Sequence, residues 1–251
     1  MSTALSVNLN KIALIRNSRE GNYPDVIAHA RTCIEHGANG ITVHPRPDQR
    51  HIRTGDVREL SSLLLPLGDL EFNVEGNPFA PPRGSYPGFI SLVEEVRPDQ
   101  CTLVPDSDNQ LTSDHGFDLT RSADQVAPII EHLKSLGIRV SLFMDPIEEQ
   151  IRLAKEVGAD RIELYTGPYA AAWGTQQQEE VFQQHYRAAE LAMELGLGLN
   201  AGHDLNLKNL AMYATIPGLL EVSIGHALTV DAIAMGLGNA VEAYKKILTS
   251  A

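Results

Sequence analysis

The chain has 251 residues with 32 acidic and 20 basic side chains, and its formal net charge is −12. A hydrophobic content of 43% and a charged content of 21% are typical of a soluble globular protein. The acidic balance argues against nucleic acid and an anionic membrane as partners, because phosphate-rich surfaces attract a basic face. It is compatible with a small anionic substrate held by a few local groups.

The two cysteines, Cys33 and Cys101, form no CxxC pattern and are too few for a disulfide framework. The segment from Met1 to Arg19 has Asn8, Asn10 and Lys11 inside its apolar part, so it lacks the continuous apolar run of a signal peptide. No stretch approaches the roughly 18 apolar residues of a membrane span. We therefore expect a cytoplasmic protein.

Short β-branched runs alternate with segments of helical periodicity along the chain. The predicted strands are Leu5–Leu9, Gly40–Val43, Leu70–Val74, Gln100–Val104, Ile138–Phe143, Arg161–Tyr165, Gly198–Asn200 and Leu220–Ile224. The predicted helices are Val26–Glu35, Val57–Leu65, Phe89–Val96, Ala123–Leu136, Glu148–Val157, Gln178–Leu195, Leu207–Ala214 and Thr229–Leu248. Helix ends are marked by the glycines expected at C-caps, which are Gly37, Gly137, Gly158 and Gly196. The histidines of the helical segments are expected on solvated faces; these are His29, His36, His132 and His185.

Eight strands, each followed by a helix, predict an α/β fold of the (β/α)8 TIM-barrel type, as a single domain over residues 1–251. An open doubly wound sheet is the alternative. It would normally carry a phosphate fingerprint, and neither GxGxxG nor GxxxxGK[ST] occurs in the sequence. Two loop insertions, 76–88 and 105–118, follow strands on the side where barrels place their active sites.

Polar and titratable side chains gather at the predicted carboxyl ends of the strands. Imidazole and carboxyl groups are the side chains best suited to moving protons near neutral pH. His44, Glu75 and His203 are therefore predicted to form a general acid/base group. The other candidates at or just after strand ends are Asn8, Asn10, Arg16, Arg19, Arg46, Arg50, His51, Glu163, Thr166, Asp204 and His226.

Two groups of residues are predicted to bind anions. Gly202 and Gly225 permit close backbone approach after strands 7 and 8, where barrels commonly hold a phosphate at a helix N-terminus. Arg19, Arg46 and His51 could hold a second anion. Two anion sites beside an acid/base centre predict either a pair of substrates or one long bis-phosphate.

Two other mechanisms have less support. A Schiff-base aldolase needs a lysine at a strand end, and of the six lysines only Lys11 lies near one. A metal-dependent hydrolase or isomerase could use His44, His203, His226 and Glu163, although there is no HxH after strand 1 and no HExxH. Spacing alone leaves a mononuclear metal site open.

Nine segments in chain order resemble the pyridoxine 5′-phosphate synthase family, and the likeness covers essentially the whole chain. The most specific are GITVHPRPDQRHI at 40–52, LNAGHDLN at 199–206 and EVSIGHA at 221–227. The others are Val7-Asn8, RNSR at 16–19, FNVEGN at 72–77, LVP at 103–105, RVSLFMD at 139–145 and EVGADRIELYTGPYA at 156–170.

The resemblance implies condensation of 3-amino-2-oxopropyl phosphate with 1-deoxy-D-xylulose 5-phosphate to pyridoxine 5′-phosphate, without a metal or organic cofactor and in a homo-octamer. By motif position, His44 and Glu75 match the proton acceptors, His203 the proton donor and Glu163 the carboxylate that stabilises the transition state. The positions that match contacts to the aminoketone phosphate are Asn8, Arg19, Asp204, Gly225 and His226. Those that match contacts to the deoxyxylulose phosphate are Arg46, His51 and Thr112, and the strand-1 positions Asn10 and Lys11 belong with them.

Three features depart from the family pattern. Asn8-Leu9-Asn10-Lys11 stands where N-x-D-H is usual, Asp204 replaces a glycine, and the connection 76–88 is longer. They suggest a divergent subgroup with an altered hold on its substrates. The strand-1 change also raises a non-catalytic phosphate-ligand sensor as an alternative, against which the intact His44, Glu75 and His203 set argues.

Overall fold

A computed structural model describes residues 3–250 and shows a closed barrel of eight parallel strands. Each strand pairs with the next, and the eighth pairs with the first. The TIM barrel predicted from the sequence is confirmed. The strands are β1 Ala4–Asn8, β2 Gly40–Val43, β3 Glu71–Gly76, β4 Gln100–Leu103, β5 Arg139–Met144, β6 Arg161–Tyr165, β7 Gly198–Gly202 and β8 Leu219–Ile224.

Helices surround the barrel and bury their apolar faces against the outer side of the strands. In residues 3–250 they are α1 Asn10–Asn17, α2 Val26–Glu35, α3 Thr54–Leu64, α4 Phe89–Val96, α5 Leu119–Ser135, α6 Glu148–Glu156, α7 Gly167–Ala172, α8 Gln178–Glu194, α9 Leu210–Tyr213, α10 His226–Met235 and α11 Leu237–Ser250, with a 3-10 turn at Leu65–Leu67.

The interior of the barrel is polar. Apolar strand residues such as Val7 and Ile41 are buried toward the helices, while their neighbours form hydrogen bonds inside the barrel. Ser6 Oγ and Thr42 Oγ1 lie 2.7 Å apart, and Asn200 on β7 donates to Gln100 on β4 across the interior at 3.3 Å. Alternation along each strand therefore brings polar groups to both ends of the barrel axis.

Several local predictions are confirmed and others are wrong. All four predicted C-cap glycines have positive φ. Helices α1 and α7 were not predicted. The single helix expected over Thr229–Leu248 is two helices, because Gly236 with φ of 84° ends α10. His185 is not solvated; it is fully buried, and its Nδ1 lies 2.9 Å from Tyr213 Oη.

Both cysteines are buried and unpaired, as the sequence predicted. Among residues 3–250 there is no helix whose length and apolar character would let it cross a membrane.

Candidate active site

A cavity of ≈ 320 Å³ opens at the carboxyl ends of the strands. Of the predicted site residues, it is lined by Asn8, Asn10, Lys11, His44, Arg46, His51, Glu75, Thr112, Glu163, His203, Asp204, Gly225 and His226. Arg50 lines it as well, whereas four other candidates lie outside this lining: Arg16, Arg19, Thr166 and Gly202. The exposed guanidinium of Arg19 donates to Ser18 O at 2.8 Å, and the buried guanidinium of Arg16 pairs with Asp56. Residues from six strand ends and the loop after β4 thus meet in one place.

The amides of the first strand orient the acid/base pair. Asn10 Oδ1 accepts from the backbone N–H of His44 at 2.9 Å, and Asn8 Oδ1 accepts from the Asn10 N–H at 2.9 Å. Asn8 Nδ2 donates to Glu75 Oε2 at 3.4 Å. The altered strand-1 residue Asn10 therefore supports the backbone of His44, while Lys11 lines the cavity.

His44 and Glu75 are buried side by side, with His44 Nδ1 3.9 Å from Glu75 Oε2. Burial holds the pKa of His44 well below its usual range, and the positive charge of Arg46 adds to this effect. Burial also raises the pKa of Glu75 well above its usual range, with repulsion from Glu163 adding to it. Because desolvation disfavours both charged forms, the pair rests as a neutral imidazole beside a protonated carboxyl group.

Glu163 points into the barrel from β6 and is almost fully buried. Burial raises the pKa of its carboxyl group to about 7. Its Oε2 has no hydrogen-bond partner anywhere in the described residues, and its Oε1 lies against β7 where Gly202 has no side chain. A Cβ at position 202 would overlap this oxygen. The glycine therefore allows the Glu163 carboxyl group to lie close to β7, and it does not serve a special backbone conformation.

His203 and Asp204 both have positive φ, 91° and 58°, which is uncommon outside glycine. The strained turn is held by Thr166, whose hydroxyl donates to the carbonyl of Gly202 at 2.8 Å and also to that of His203. It places the imidazole of His203 edge-on to the Tyr165 ring at 5.4 Å between centroids. The side chain reaches the cavity only because the backbone adopts this conformation.

Two groups hold the ring of His203. Thr112 Oγ1 lies 2.9 Å from its Nε2, and Asp204 Oδ2 lies 3.4 Å from its Nδ1. The hydrogen bond with His203 lowers the pKa of Asp204, and the charges of His226 and Lys11 lower it further. Asp204 is therefore an ionised carboxylate at the cavity mouth.

Groups that can bind anions flank this centre on two sides. Gly225 and His226 line the cavity at the N-terminus of α10, where backbone N–H groups are free to bind an anion. On the other side lie Arg46, Arg50 and His51. Burial lowers the pKa of His51 to about 3, so its neutral ring can serve only as a hydrogen-bonding group, and its Nδ1 already accepts from the Ile52 N–H at 2.9 Å.

Some cavity residues were absent from the predicted set. Ser223 on β8 and Phe143 on β5 line the cavity, and the alternation of Ser223 with Val222 and Ile224 was a signal that could have found it. Asp106 is buried beside His44 in the loop after β4. No sequence pattern indicated this position, because an aspartate in a polar loop is normally solvated.

The possible metal ligands named from the sequence do not form a ligand cluster. In the part of the chain that the structure describes, no group of three or more His, Cys, Asp or Glu side chains is arranged to hold a metal ion. The geometry therefore gives the metal-dependent alternative no site in this region.

A closed parallel barrel with acid/base side chains at its carboxyl rim defines the (β/α)8-barrel class of enzyme. Solved structures agree on the fold. The structure titled KGPDC from Streptococcus mutans has a TM-score of 0.64 and 13% identity, covering 100% of this chain and 99% of that one. Thiamine phosphate pyrophosphorylase from Pyrococcus furiosus has a TM-score of 0.61 and 14% identity, covering 99% and 96%.

Sequence comparisons give the family. The family model described as "Pyridoxal phosphate biosynthesis protein PdxJ" matches residues 5–250. A pyridoxine 5′-phosphate synthase from Xanthomonas axonopodis pv. citri is 57% identical, covering 100% of this chain and 98% of the relative. One from Xylella fastidiosa is 52% identical, covering 99% and 95%. The chain belongs to the PdxJ family and is an enzyme of vitamin B6 biosynthesis, which confirms the resemblance found in the sequence.

Proposed function

We propose that the rim cavity condenses 3-amino-2-oxopropyl phosphate with 1-deoxy-D-xylulose 5-phosphate and closes the ring of pyridoxine 5′-phosphate, releasing water and inorganic phosphate. The family and the names of the relatives support this reaction. The observation that carries it is the composition of one cavity. Two imidazoles and two carboxyl groups, His44, His203, Glu75 and Glu163, line it between two sets of anion-binding groups.

The chemistry requires protons to be moved in both directions. Forming the new C–N bond removes protons from the amine, and expelling hydroxide as water needs a proton donor. The neutral His44 can accept a proton at once, since its low pKa leaves the ring unprotonated. Glu75 rests protonated, so it can act as a proton acceptor only after it has given up that proton. The neighbouring group that can take the proton is His44, whose Nδ1 lies 3.9 Å from Glu75 Oε2.

His203 is the proposed donor to the departing oxygen on the opposite side of the cavity. Its ring is fixed by Thr112 Oγ1 at Nε2 and by the Asp204 carboxylate at Nδ1. Glu163, with a pKa near 7 and a free Oε2 in the described region, is proposed to stabilise positive charge that develops on the substrate nitrogen.

The two phosphates are assigned to the two flanking sets of groups. We place the aminoketone phosphate at the N-terminus of α10, with its contacts at Asn8, Asp204, Gly225 and His226 and with Arg19 reaching over from outside the cavity. We place the deoxyxylulose phosphate beside the other set, where its contacts are Asn10, Lys11, Arg46, His51 and Thr112. Lys11 supplies the charge that offsets Asp204 at the mouth.

We also propose that the enzyme acts as a single-domain barrel, needs no metal or organic cofactor and works in the cytoplasm. Every step is a proton transfer, a condensation or an elimination, which side chains of these types can support. A homo-octamer is the proposed assembly. The apolar side chains Val230 and Ile233 on α10 are 50% and 79% exposed in the single chain, which supports burial of this helix between copies. Light scattering would give the number of copies.

The test of the activity is direct. Purified enzyme is mixed with both phosphates, and the pyridine absorbance of the product is followed together with released inorganic phosphate. We expect both signals to appear in equal amounts, with neither substrate alone giving product. A His203→Ala variant should bind ligand but lose about 10²- to 10⁴-fold in kcat. Tight ligand binding by the wild-type chain without any product between about pH 6 and 9 would instead support the sensor alternative.

A further inference from the structure

Asp106 is a buried carboxylate that has no part in the proton transfers proposed above. It begins the loop between β4 and α5 and is 6% exposed. Its Oδ2 is 3.2 Å from His44 Nε2, 2.5 Å from Arg46 Nη2 and 3.1 Å from Ser113 Oγ. One oxygen therefore meets the general base, a phosphate-binding arginine and a hydroxyl group.

The contact with His44 determines which ring nitrogen carries the proton. The contact is an ion-pair distance, and the negative charge of the carboxylate favours a hydrogen over a lone pair on the facing nitrogen of a neutral imidazole. That nitrogen is Nε2, which leaves the lone pair on Nδ1. Nδ1 is also the nitrogen that lies on the side of Glu75, at 3.9 Å.

We propose that Asp106 is a positioning residue that fixes His44 in the Nε2–H tautomer and so presents Nδ1 as the proton-accepting atom. This inference rests on the proposed function, since it names the atom through which His44 acts as base. The arrangement is the general one in which a carboxylate orients a catalytic histidine through the ring nitrogen that does not react.

The charge of Asp106 is maintained by its other neighbours. Burial raises the pKa of its carboxyl group, while Arg46 and the Ser113 hydroxyl oppose that rise. The guanidinium of Arg46 also donates to the carbonyls of Ser107 and Gln110, both at 3.4 Å, and so stays beside the carboxylate. A charged Asp106 is the form that favours a hydrogen on the facing Nε2 of His44.

A purely structural role for Asp106 predicts different results. Its backbone carbonyl accepts from Asn77 Nδ2 at 2.5 Å, and this bond joins the long 76–88 connection to the β4 loop. If the carboxylate only anchored Arg46 and Ser113, losing it would lower stability and weaken substrate binding while kcat stayed near that of the wild type. If it also fixes the tautomer, kcat falls in addition.

The tautomer can be measured without substrate. Magic-angle-spinning NMR on protein labelled with 15N-histidine separates protonated from unprotonated ring nitrogens, and the spectrum of a His44→Gln variant assigns the His44 signals. In the wild-type enzyme we expect His44 to be neutral with hydrogen on Nε2. Hydrogen on Nδ1, or an imidazolium at neutral pH, would overturn the proposal. Since no turnover is needed, this result is independent of whether the proposed reaction is right.

The steady-state kinetics of an Asp106→Asn variant are the second test of the proposal. The amide keeps the size of the side chain but has no charge, so the ring should populate both tautomers. We expect kcat to fall about 10²-fold, a larger change than in the KM of either substrate. The Tm should fall as well, because Arg46 loses its buried partner. Asp108→Asn is the matched control two residues further along, because the side chain of Asp108 is exposed and its carboxylate pairs with the exposed Arg83 at 3.4 Å. An unchanged kcat, or a raised KM at constant kcat, would contradict the proposal.

Discussion

The two poles of the barrel place buried carboxylates in opposite surroundings. At the N-terminal pole, around a second cavity of ≈ 280 Å³, Glu71 contacts Arg139 and Glu221 lies 3.6 Å from Arg161. At the C-terminal pole Glu75 and Glu163 are buried as well. In residues 3–250 the only basic side chain within 4.0 Å of either is the neutral His44.

The buried carboxyl groups of the two poles differ in whether a cation lies beside them. Burial and repulsion from Glu71 raise the pKa of Glu221 well above its usual range, although the neighbouring Arg161 acts against that rise. Glu163 has no such cation, and a pKa near 7 lets it gain or lose a proton at working pH. At the N-terminal pole the arginine pairs thus serve the stability of the barrel. At the C-terminal pole the two carboxyl groups without a cation, Glu75 and Glu163, serve its chemistry.

The largest expected effect comes from removing a proton-carrying group at the C-terminal pole. Glu75→Gln keeps the shape and the hydrogen bonds of a protonated side chain but cannot exchange its proton. We expect kcat to fall about 10²- to 10⁴-fold with little change in Tm. Glu221→Gln at the other pole is the matched control, with kcat expected within about threefold of wild type. Equal losses of kcat in both variants would remove the distinction between the poles.

The next effect is on stability at the N-terminal pole. Arg161→Leu leaves Glu221 buried without its cation, and we expect the free energy of unfolding to fall by about 3 kcal/mol. Replacing both residues by leucine should recover most of this loss, because an uncharged pair leaves nothing unpaired. Urea denaturation of the single and double variants measures both values. No recovery in the double variant would show that the pair itself is not the cause.

Glu163 gives a pH-dependent effect of known sign. Its pKa rises from 4.5 to about 7 on folding. The folded state therefore binds more protons than the unfolded state between these two pH values. The contribution of Glu163 to the free energy of unfolding is complete below about pH 4.5 and is lost as the pH rises through 7. The loss is on the order of 3 kcal/mol. In urea denaturation, Glu163→Gln should have a larger free energy of unfolding than the wild type at pH 8 but not at pH 5. If the two proteins differed in free energy of unfolding by the same amount at both pH values, the shifted pKa would be contradicted.

The smallest effect is expected for an ion pair outside the barrel. Arg58 on α3 donates to both oxygens of Glu95 on α4 at 2.6 and 2.8 Å, but both side chains are close to half exposed. Arg58→Met should change the free energy of unfolding by less than about 1 kcal/mol. A loss comparable with that of Arg161→Leu would mean that burial does not explain the difference between the two pairs.

The barrel was predictable because its signals are local. β2 and β6 have the predicted bounds, since β-branched residues between turn signals define a buried strand. Helix α1 was missed because Asn10 and Lys11 look like a loop after a strand, and contacts with α2 and α10 are needed to hold it. His185 was misplaced for a similar reason, because its partner Tyr213 is 28 residues away.

The site was predictable wherever strand ends determine it. Side chains at those ends converge by the geometry of the fold, so His44, Glu75 and Glu163 could be placed together without coordinates. Asp106 could not be placed in this way, and Thr112 was named only from the family resemblance, because their positions depend on how the loop after β4 folds back over the rim. Arg19 was named from its motif, and it lies outside the cavity lining.

Gly202 has a consequence for how variation in this enzyme is interpreted. The position carries no functional group, yet alanine there would push the Glu163 carboxylate away from β7. In a saturation library selected for vitamin B6 production, substitutions at position 202 should therefore be depleted through their effect on Glu163, although residue 202 itself takes no part in the reaction.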